Sequence, residues 1–363
     1  MVKSAYIHIP FCKQKCKYCS FVSYAYLAGK NDYLRALCKE ISSEYKGEEL
    51  DTLYFGGGTP SLLKTSEILK LLEMFNLSKN TEITLEVNPE TVDAEYFNKL
   101  RETKVNRLSI GAQSFDDWIL KEIGRRHRSI DIKRAVRDAR SAGFDNISLD
   151  FIYGLPNQSV ENFIISLKHA INLDVEHISL YGLKIEPECY YAEHPPKNIA
   201  NDETQAIMYE KAIETLIEAG YEQYEISNFA KPEKYSRHNC VYWKNQEYYG
   251  FGISAHGYVD KTRYANEKRY GAYCENPLKK EFSEIVTKEA QLEEEIFLGL
   301  RLKKGINLSN VNEKYNIDFE KKYKSILEKY LQTGHLCIDN GNLYFSTQGF
   351  LVSNEILSEF LEL

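Results

Sequence analysis

Along the first 220 residues the spacing of apolar and polar positions switches period again and again. Short β-prone runs at 6–10, 52–55, 83–87, 107–110, 147–152 and 177–181 alternate with stretches of helical period at 32–46, 65–75, 92–102, 130–142, 159–172 and about 203–219. The fourth and sixth helical stretches run into Gly143 and Gly220, placed as glycines that close a helix. Six strands alternating with helices predict a parallel α/β sheet with right-handed crossovers. Just past the strand ends lie a cysteine-rich loop, residues 56–59, Asn88, Gln113 and Gly154. Parallel sheets bind ligands at that rim, so the candidate chemistry is expected on one edge.

Residues 223–275 break the pattern. They are rich in Tyr, Asn and Gly and poor in clear helices, and are expected to be strands and ordered loops that close the mouth of the sheet. From about 285 the pattern is helical again, interrupted by Leu336-Cys-Ile-Asp-Asn-Gly-Asn-Leu-Tyr-Phe345, which reads as an Asn-Gly hairpin. Helices plus a hairpin suggest a small α+β, winged-helix-like domain. The expected division is 1–222, 223–284 and 285–363.

Composition narrows the function classes. Hydrophobic residues are 43% of the 363, enough for a sizeable core, and the net charge of −7 speaks against a dedicated nucleic-acid binder. No apolar run approaches the ~18–20 residues of a membrane span, and residues 1–11 lack a signal-peptide core. A cytoplasmic protein is expected. The eight cysteines agree, because three crowd into residues 12–19 while the rest are scattered, unlike a secreted disulfide framework.

Cys12-x3-Cys16-x2-Cys19 is the strongest chemical signal. Three thiolates on one loop can hold three corners of a 4Fe-4S cubane and leave the fourth iron open to a chelating small molecule. Structural zinc wants four ligands, usually two separated pairs, and no second pair matches. Lys13, Lys15 and Lys17 interleave the cysteines and are expected to lower the thiol pKa values. Residues 125–128 form a basic cluster, either a solvated loop or an attractor of an anion such as a porphyrin propionate.

Several motifs, in order, resemble the radical S-adenosylmethionine (SAM) superfamily. They are Tyr6-Ile-His-Ile-Pro-Phe-Cys12, Cys16-Lys-Tyr-Cys19, Phe55-Gly-Gly-Gly-Thr-Pro60, Glu86-Val-Asn-Pro89, Ile110-Gly-Ala-Gln113, Gly124-Arg125, Asp150-Phe-Ile-Tyr-Gly-Leu-Pro156, Tyr224-Glu-Ile-Ser-Asn-Phe229 and His238-Asn-Cys-Val-Tyr-Trp243. More closely, they resemble the oxygen-independent coproporphyrinogen III oxidase-like family. The resemblance implies a partial (β/α)6 barrel, a cluster on Cys12, Cys16 and Cys19, and SAM contacts from Tyr6, Tyr18, Gly57, Gly58, Thr59, Glu86, Gln113, Arg125 and Asp150. It also implies a flavodoxin or ferredoxin electron donor. In the oxidase branch a radical made from SAM drives oxidative decarboxylation of two propionates to vinyls. Those enzymes carry a further cysteine where this chain has Phe21, and a longer segment before the first cysteine. Both departures resemble the HemW-type heme-chaperone branch, which implies heme as a ligand and heme-accepting proteins, such as respiratory enzymes, as partners. There His238, with Cys240 as rival, is the expected iron ligand. The plainer reading of His238 is a hydrogen-bonded histidine of the protein interior.

Overall fold

A computed structural model describes residues 1–25 and 27–361. Six parallel strands form its centre: β1 (Ser4–Ile9), β2 (Glu49–Gly57), β3 (Asn76–Val87), β4 (Arg107–Gln113), β5 (Ile147–Tyr153) and β6 (His177–Gly182). Between and after them run α1 (Lys30–Glu44), α2 (Thr65–Leu72), α3 (Ala94–Arg101), α4 (Asp117–Glu122), α5 (Ser129–Ser141), α6 (Val160–Asn172), α7 (Tyr190–Glu193) and α8 (Asp202–Glu218). Side-chain caps fix several helix starts: Asp93, Ser159 and Asn201 each accept a backbone N–H from the first turn. Short β7 (Glu222–Gln223) and β8 (Asn228–Ala230) extend the β6 edge antiparallel, and β9 (Tyr249–Phe251) extends the β1 edge in parallel. The nine-stranded sheet runs β7-β8-β6-β5-β4-β3-β2-β1-β9 and stays open, because β7 and β9 do not pair.

The two faces of this sheet differ in kind. Ile7, Leu53, Leu85, Leu108, Leu149 and Ile178 are fully buried in one apolar cluster with helix residues such as Leu37, Phe97, Val136 and Phe163. Their neighbours in sequence point the other way. In register across the sheet these are Tyr6, Tyr54, Thr84 and Arg107, then Ser109, Ser148 and His177. The inner face is thus polar although most of it is buried. Buried polar groups usually find hydrogen-bond partners, and most of these do, while Thr84 Oγ1 and the Nε and Nη1 of Arg107 have none among the described residues.

Within 223–284, His256–Val259, Thr262–Asn266 and Lys280–Ile285 pair as a three-stranded antiparallel sheet, so strands stand where strands were expected, but helices were missed. This stretch holds a helix, α9 (Arg237–Trp243), which packs at the base of the sheet, opposite the cysteine loop. Its capping explains why the sequence hides it. Ser236 accepts the N–H of Asn239, and the Glu82 carboxylate, 155 residues away in sequence, accepts the N–H groups of Arg237 and His238 at 3.1 and 3.0 Å. Toward the mouth the segment contributes an edge contact, where Tyr24 Oη donates to the Lys268 carbonyl at 2.7 Å.

The C-terminal part is helical with a three-stranded sheet ordered Ile306–Asn307, Asn342–Phe345, Leu336–Asp339. The hairpin turns at Asn340 and Gly341, with φ of 49° and 75°, as the Asn-Gly dipeptide predicts. Residues just before this small sheet join the C-terminal part to the chain after β7, where Ile226 N–H donates to the Arg301 carbonyl and Lys303 N–H to that of Tyr224, at 2.9 and 3.0 Å.

Candidate cluster and cofactor site

The cysteine loop leaves β1 and is tied down along its length. Cys12 N–H donates to Tyr24 O, Tyr24 N–H to Pro10 O, and Lys17 N–H to Ile123 O, at 3.1, 2.7 and 3.0 Å. Cys12, Cys16 and Cys19 thereby line one cavity of about 460 Å³ at the C-terminal rim of the sheet. Tyr18, Gly57, Gly58, Thr59, Glu86, Asn88, Ser109, Gln113, Arg125 and Asp150 share that wall. Among the described residues, the lining holds no further cysteine and no histidine. Nor, among the described residues, does any group of three His, Cys, Asp or Glu stand close enough to hold a single metal ion.

Each expected contact has a definite place. Glycines 56–58 bring the backbone against the loop: a Cβ on Gly58 would lie 2.7 Å from the Phe11 carbonyl oxygen, and Gly57 sits at φ 112° with a would-be Cβ 2.6 Å from the His8 ring. Side chains are excluded here, and the backbone itself becomes the wall. Thr59 Oγ1 donates to Cys12 Sγ at 3.5 Å. Glu86 accepts from Tyr54 Oη at 2.9 Å and from Gly57 N–H at 3.1 Å. Asp150 accepts from the hydroxyls of Ser109 and Ser148 at 2.8 and 3.0 Å. Burial raises both carboxyls, Glu86 to about 8. Arg125 donates to the Gly111 carbonyl at 2.7 Å and to Asn88 Oδ1 at 3.1 Å, with Nη1 3.7 Å from Cys16 Sγ. Its buried Nε has no partner. Gln113 holds a left-handed φ of 64°, turning the chain at the end of β4.

Two expectations change. Tyr6 does not line the cavity: its hydroxyl bonds His8 Nδ1 at 3.1 Å and its ring faces Tyr54. Burial outweighs the lysines at the cysteine loop, where Lys15 pulls the Cys19 thiol down by less than burial lifts it. Burial pushes Cys12 up and Cys19 up to about 11, while Lys13 reaches the Glu90 carbonyl and Lys17 pairs with Glu122 at 3.5 Å. Sequence reasoning also missed the residues that hold the carboxylates: Tyr54, Ser109 and Ser148. Their signal was the period-two alternation of β2, β4 and β5, which places these polar side chains on one face of the sheet.

The expected iron ligand His238 lies at the base. It is 1% exposed, with Nδ1 bonded to Thr52 Oγ1 and Nε2 to Tyr242 Oη, each at 2.8 Å. Burial takes its pKa down to about 3. Neither ring nitrogen is free, so the plainer reading of this residue is the one the geometry matches. Cys240, on the same helix, instead lines a separate basal cavity of about 680 Å³ with Lys3, Tyr235, Arg237 and Lys244.

The donor set fits a cluster and an amino-acid-bearing cofactor. Three thiols line one cavity, the backbone wall admits no Cβ, and a buried guanidinium keeps an unused N–H.

Comparison with known proteins agrees with this geometry. Residues 6–170 match the model of the radical SAM superfamily, and residues 286–352 match the HemN C-terminal domain. The heme chaperone HemW of Bacillus subtilis is 39% identical over 99% of both chains, and that of Lactococcus lactis is 35% identical over 99% of this chain and 97% of its own. HemW of Escherichia coli is 39% identical over 75% of this chain and 77% of its own. The solved structure of the radical SAM enzyme HemN from Escherichia coli, a coproporphyrinogen III oxidase, superposes with a TM-score of 0.86 over 98% of this chain and 89% of that one; at 22% identity it establishes the fold. A thiol-lined cavity on a partial barrel and likeness along the whole chain place this protein in the HemW family of the radical SAM superfamily.

Proposed function

We propose that this protein is a heme chaperone: it carries a 4Fe-4S cluster on Cys12, Cys16 and Cys19, binds SAM at the cluster, and passes heme to hemoproteins such as respiratory enzymes. The observation that carries the reading is the likeness to heme chaperones over 99% of both chains. Phe21, in place of a further cysteine, supports it against the oxidase reading.

When bound, the cluster would supply an iron corner without a protein ligand and an electron for SAM cleavage, delivered by a flavodoxin or ferredoxin. The chain's own residues then have distinct tasks. Arg125 suits the cofactor's carboxylate, since a guanidinium prefers such a partner. Glu86 and Asp150 suit its ammonium and ribose hydroxyls. Residues 57–59 offer backbone groups at contact distance, and Tyr18 closes the side of the cavity.

For heme, the basal cavity is the better candidate than His238. Cys240 supplies a sulfur, Tyr235 a flat ring, and Lys3, Arg237 and Lys244 cations for two propionates. Burial pushes the Cys240 thiol up to about 11, so iron binding there must release a proton.

The test is anaerobic reconstitution of the cluster, then heme titration and a coproporphyrinogen turnover assay on the same sample. Stoichiometric heme binding without porphyrinogen turnover is expected. A heme spectrum of thiolate type that Cys240→Ala abolishes would place the ligand. Vinyl-bearing product, with no heme retained, would replace this reading by the oxidase one.

A further inference from the structure

The buried polar face of the sheet contains one continuous chain of hydrogen bonds, and its polarity can be assigned. Asp150, on the cofactor cavity, accepts from Ser148 Oγ at 3.0 Å. Ser148 has thereby used its only proton, so its 2.8 Å contact with His177 Nδ1 must be donated by the imidazole. Burial, reinforced by Arg107, holds His177 neutral, with one N–H. Its Nε2 is therefore an acceptor, and the 2.8 Å contact with Tyr224 Oη is donated by the phenol. Tyr224 Oη in turn accepts Ser236 N–H at 3.2 Å. Ser236 is the N-cap of α9, the helix that carries Cys240. Each donor thus points the same way, from the start of α9 to the carboxylate of the cofactor site, and His177 is fully buried.

Such a chain has two discrete settings. In the other, Ser148 donates to His177 Nδ1 and His177 Nε2–H donates to Tyr224. Asp150 then loses a donor, and the phenol proton must find another acceptor. A change at one end cannot stop midway, because each group has a single proton to place. A cation against Asp150 keeps it ionised and so favours the observed setting, which fixes the first residue of α9.

We propose that cofactor binding at Asp150 and heme binding beside α9 are thermodynamically coupled through the Ser148–His177–Tyr224 relay, with His177 and Tyr224 as positioning residues that touch neither ligand. This assigns SAM a role in heme handling that needs no cleavage: it orders the helix that holds heme. The heme half rests on the function proposed above.

The anaerobically reconstituted full chain tests it in two arms. In the first, heme is titrated with and without SAM, and SAM with and without heme. Coupling is reciprocal, so the two ratios should agree, with SAM tightening heme by at least about 5-fold. Tyr224→Phe deletes one hydroxyl of the relay at a residue remote from the cofactor cavity, and should bring both ratios to about 1 while the chain still binds SAM. A wild-type ratio near 1, or an unchanged ratio in Tyr224→Phe, would overturn the proposal. The second arm needs no heme. SAM should slow amide exchange of residues 236–243 in the wild type and not in Tyr224→Phe. Equal slowing in both proteins, or none in the wild type, would overturn the relay. Loss of heme binding throughout, with the exchange effect intact, would sink the chaperone reading and leave the relay standing.

Discussion

Tyr54 stacks on His238 with ring centroids 5.0 Å apart and 24° between the planes. The same phenol donates to Glu86 at the cofactor cavity. One side chain therefore spans the height between the candidate SAM site and the basal helix. His238 is built into that contact by its bonds to Thr52 and Tyr242.

His238→Ala should act first on stability. It leaves a cavity under Tyr54 and strips partners from two buried hydroxyls, at a cost of about 2–4 kcal/mol. Urea unfolding of the apo-protein should show the drop. A variant as stable as the wild type would mean that His238 is not the packed, doubly bonded residue described.

Glu86 makes a pH prediction. Burial, with Asp150 adding to it, pushes its carboxyl up from 4.5 to about 8, against bonds from Tyr54 and Gly57 that pull it down. A carboxyl with a raised folded pKa contributes stability that is full below the unfolded value. That stability is lost as pH rises through the folded one. The apo-protein should therefore weaken between about pH 4.5 and 8 on account of this group. Glu86→Gln removes the effect, so its unfolding midpoint should gain on the wild type from pH 6 to pH 9, by on the order of a few kcal/mol at most. SAM affinity should be lost in the same variant. A midpoint difference that stays flat across that range would disprove the assignment.

Gly58→Ala tests the backbone wall. The new Cβ would meet the Phe11 carbonyl at 2.7 Å, a backbone atom that cannot swing aside. The strand ends must separate where Gly58 N–H donates to the Ile9 carbonyl at 2.9 Å. Destabilisation of about 1–3 kcal/mol and a SAM affinity weakened by at least roughly 10-fold are expected. Calorimetric binding to the reconstituted protein would reveal an unaffected site just as readily.

Arg125→Met keeps the length of the side chain and removes its charge. The Gly111 carbonyl and Asn88 Oδ1 lose their donor, and the cofactor loses its guanidinium partner. A charge-assisted bond contributes about 1.5–3 kcal/mol, so SAM should bind roughly 10- to 150-fold more weakly. Iron and sulfide content should hold, because the three thiols remain. Unchanged SAM binding would move the carboxylate elsewhere.

Much of the molecule was legible beforehand. The six strands and the helices between them follow from period, and local signals such as Gly143, Gly220 and Asn340-Gly341 end elements or turn them where observed. The cysteine spacing named its chemistry without coordinates. Other features were hidden. The helix α9 has a start signal divided between Ser236 and the distant Glu82, so a local window sees a loop. The short α4 and the helix Tyr270–Glu275 also escaped.

By itself the sequence determined which groups the protein owns and the rim on which most of them lie, because side-chain period and ligand spacing are properties of neighbours along a chain. Folding decided which of them meet. Only the assembled sheet buries polar residues of β2 to β6 side by side, takes both nitrogens of His238 out of use, and strings Ser148, His177 and Tyr224 into one line. Hydrogen bonds between strands depend on register, and register is set by the packing of the whole sheet rather than by any one of its strands.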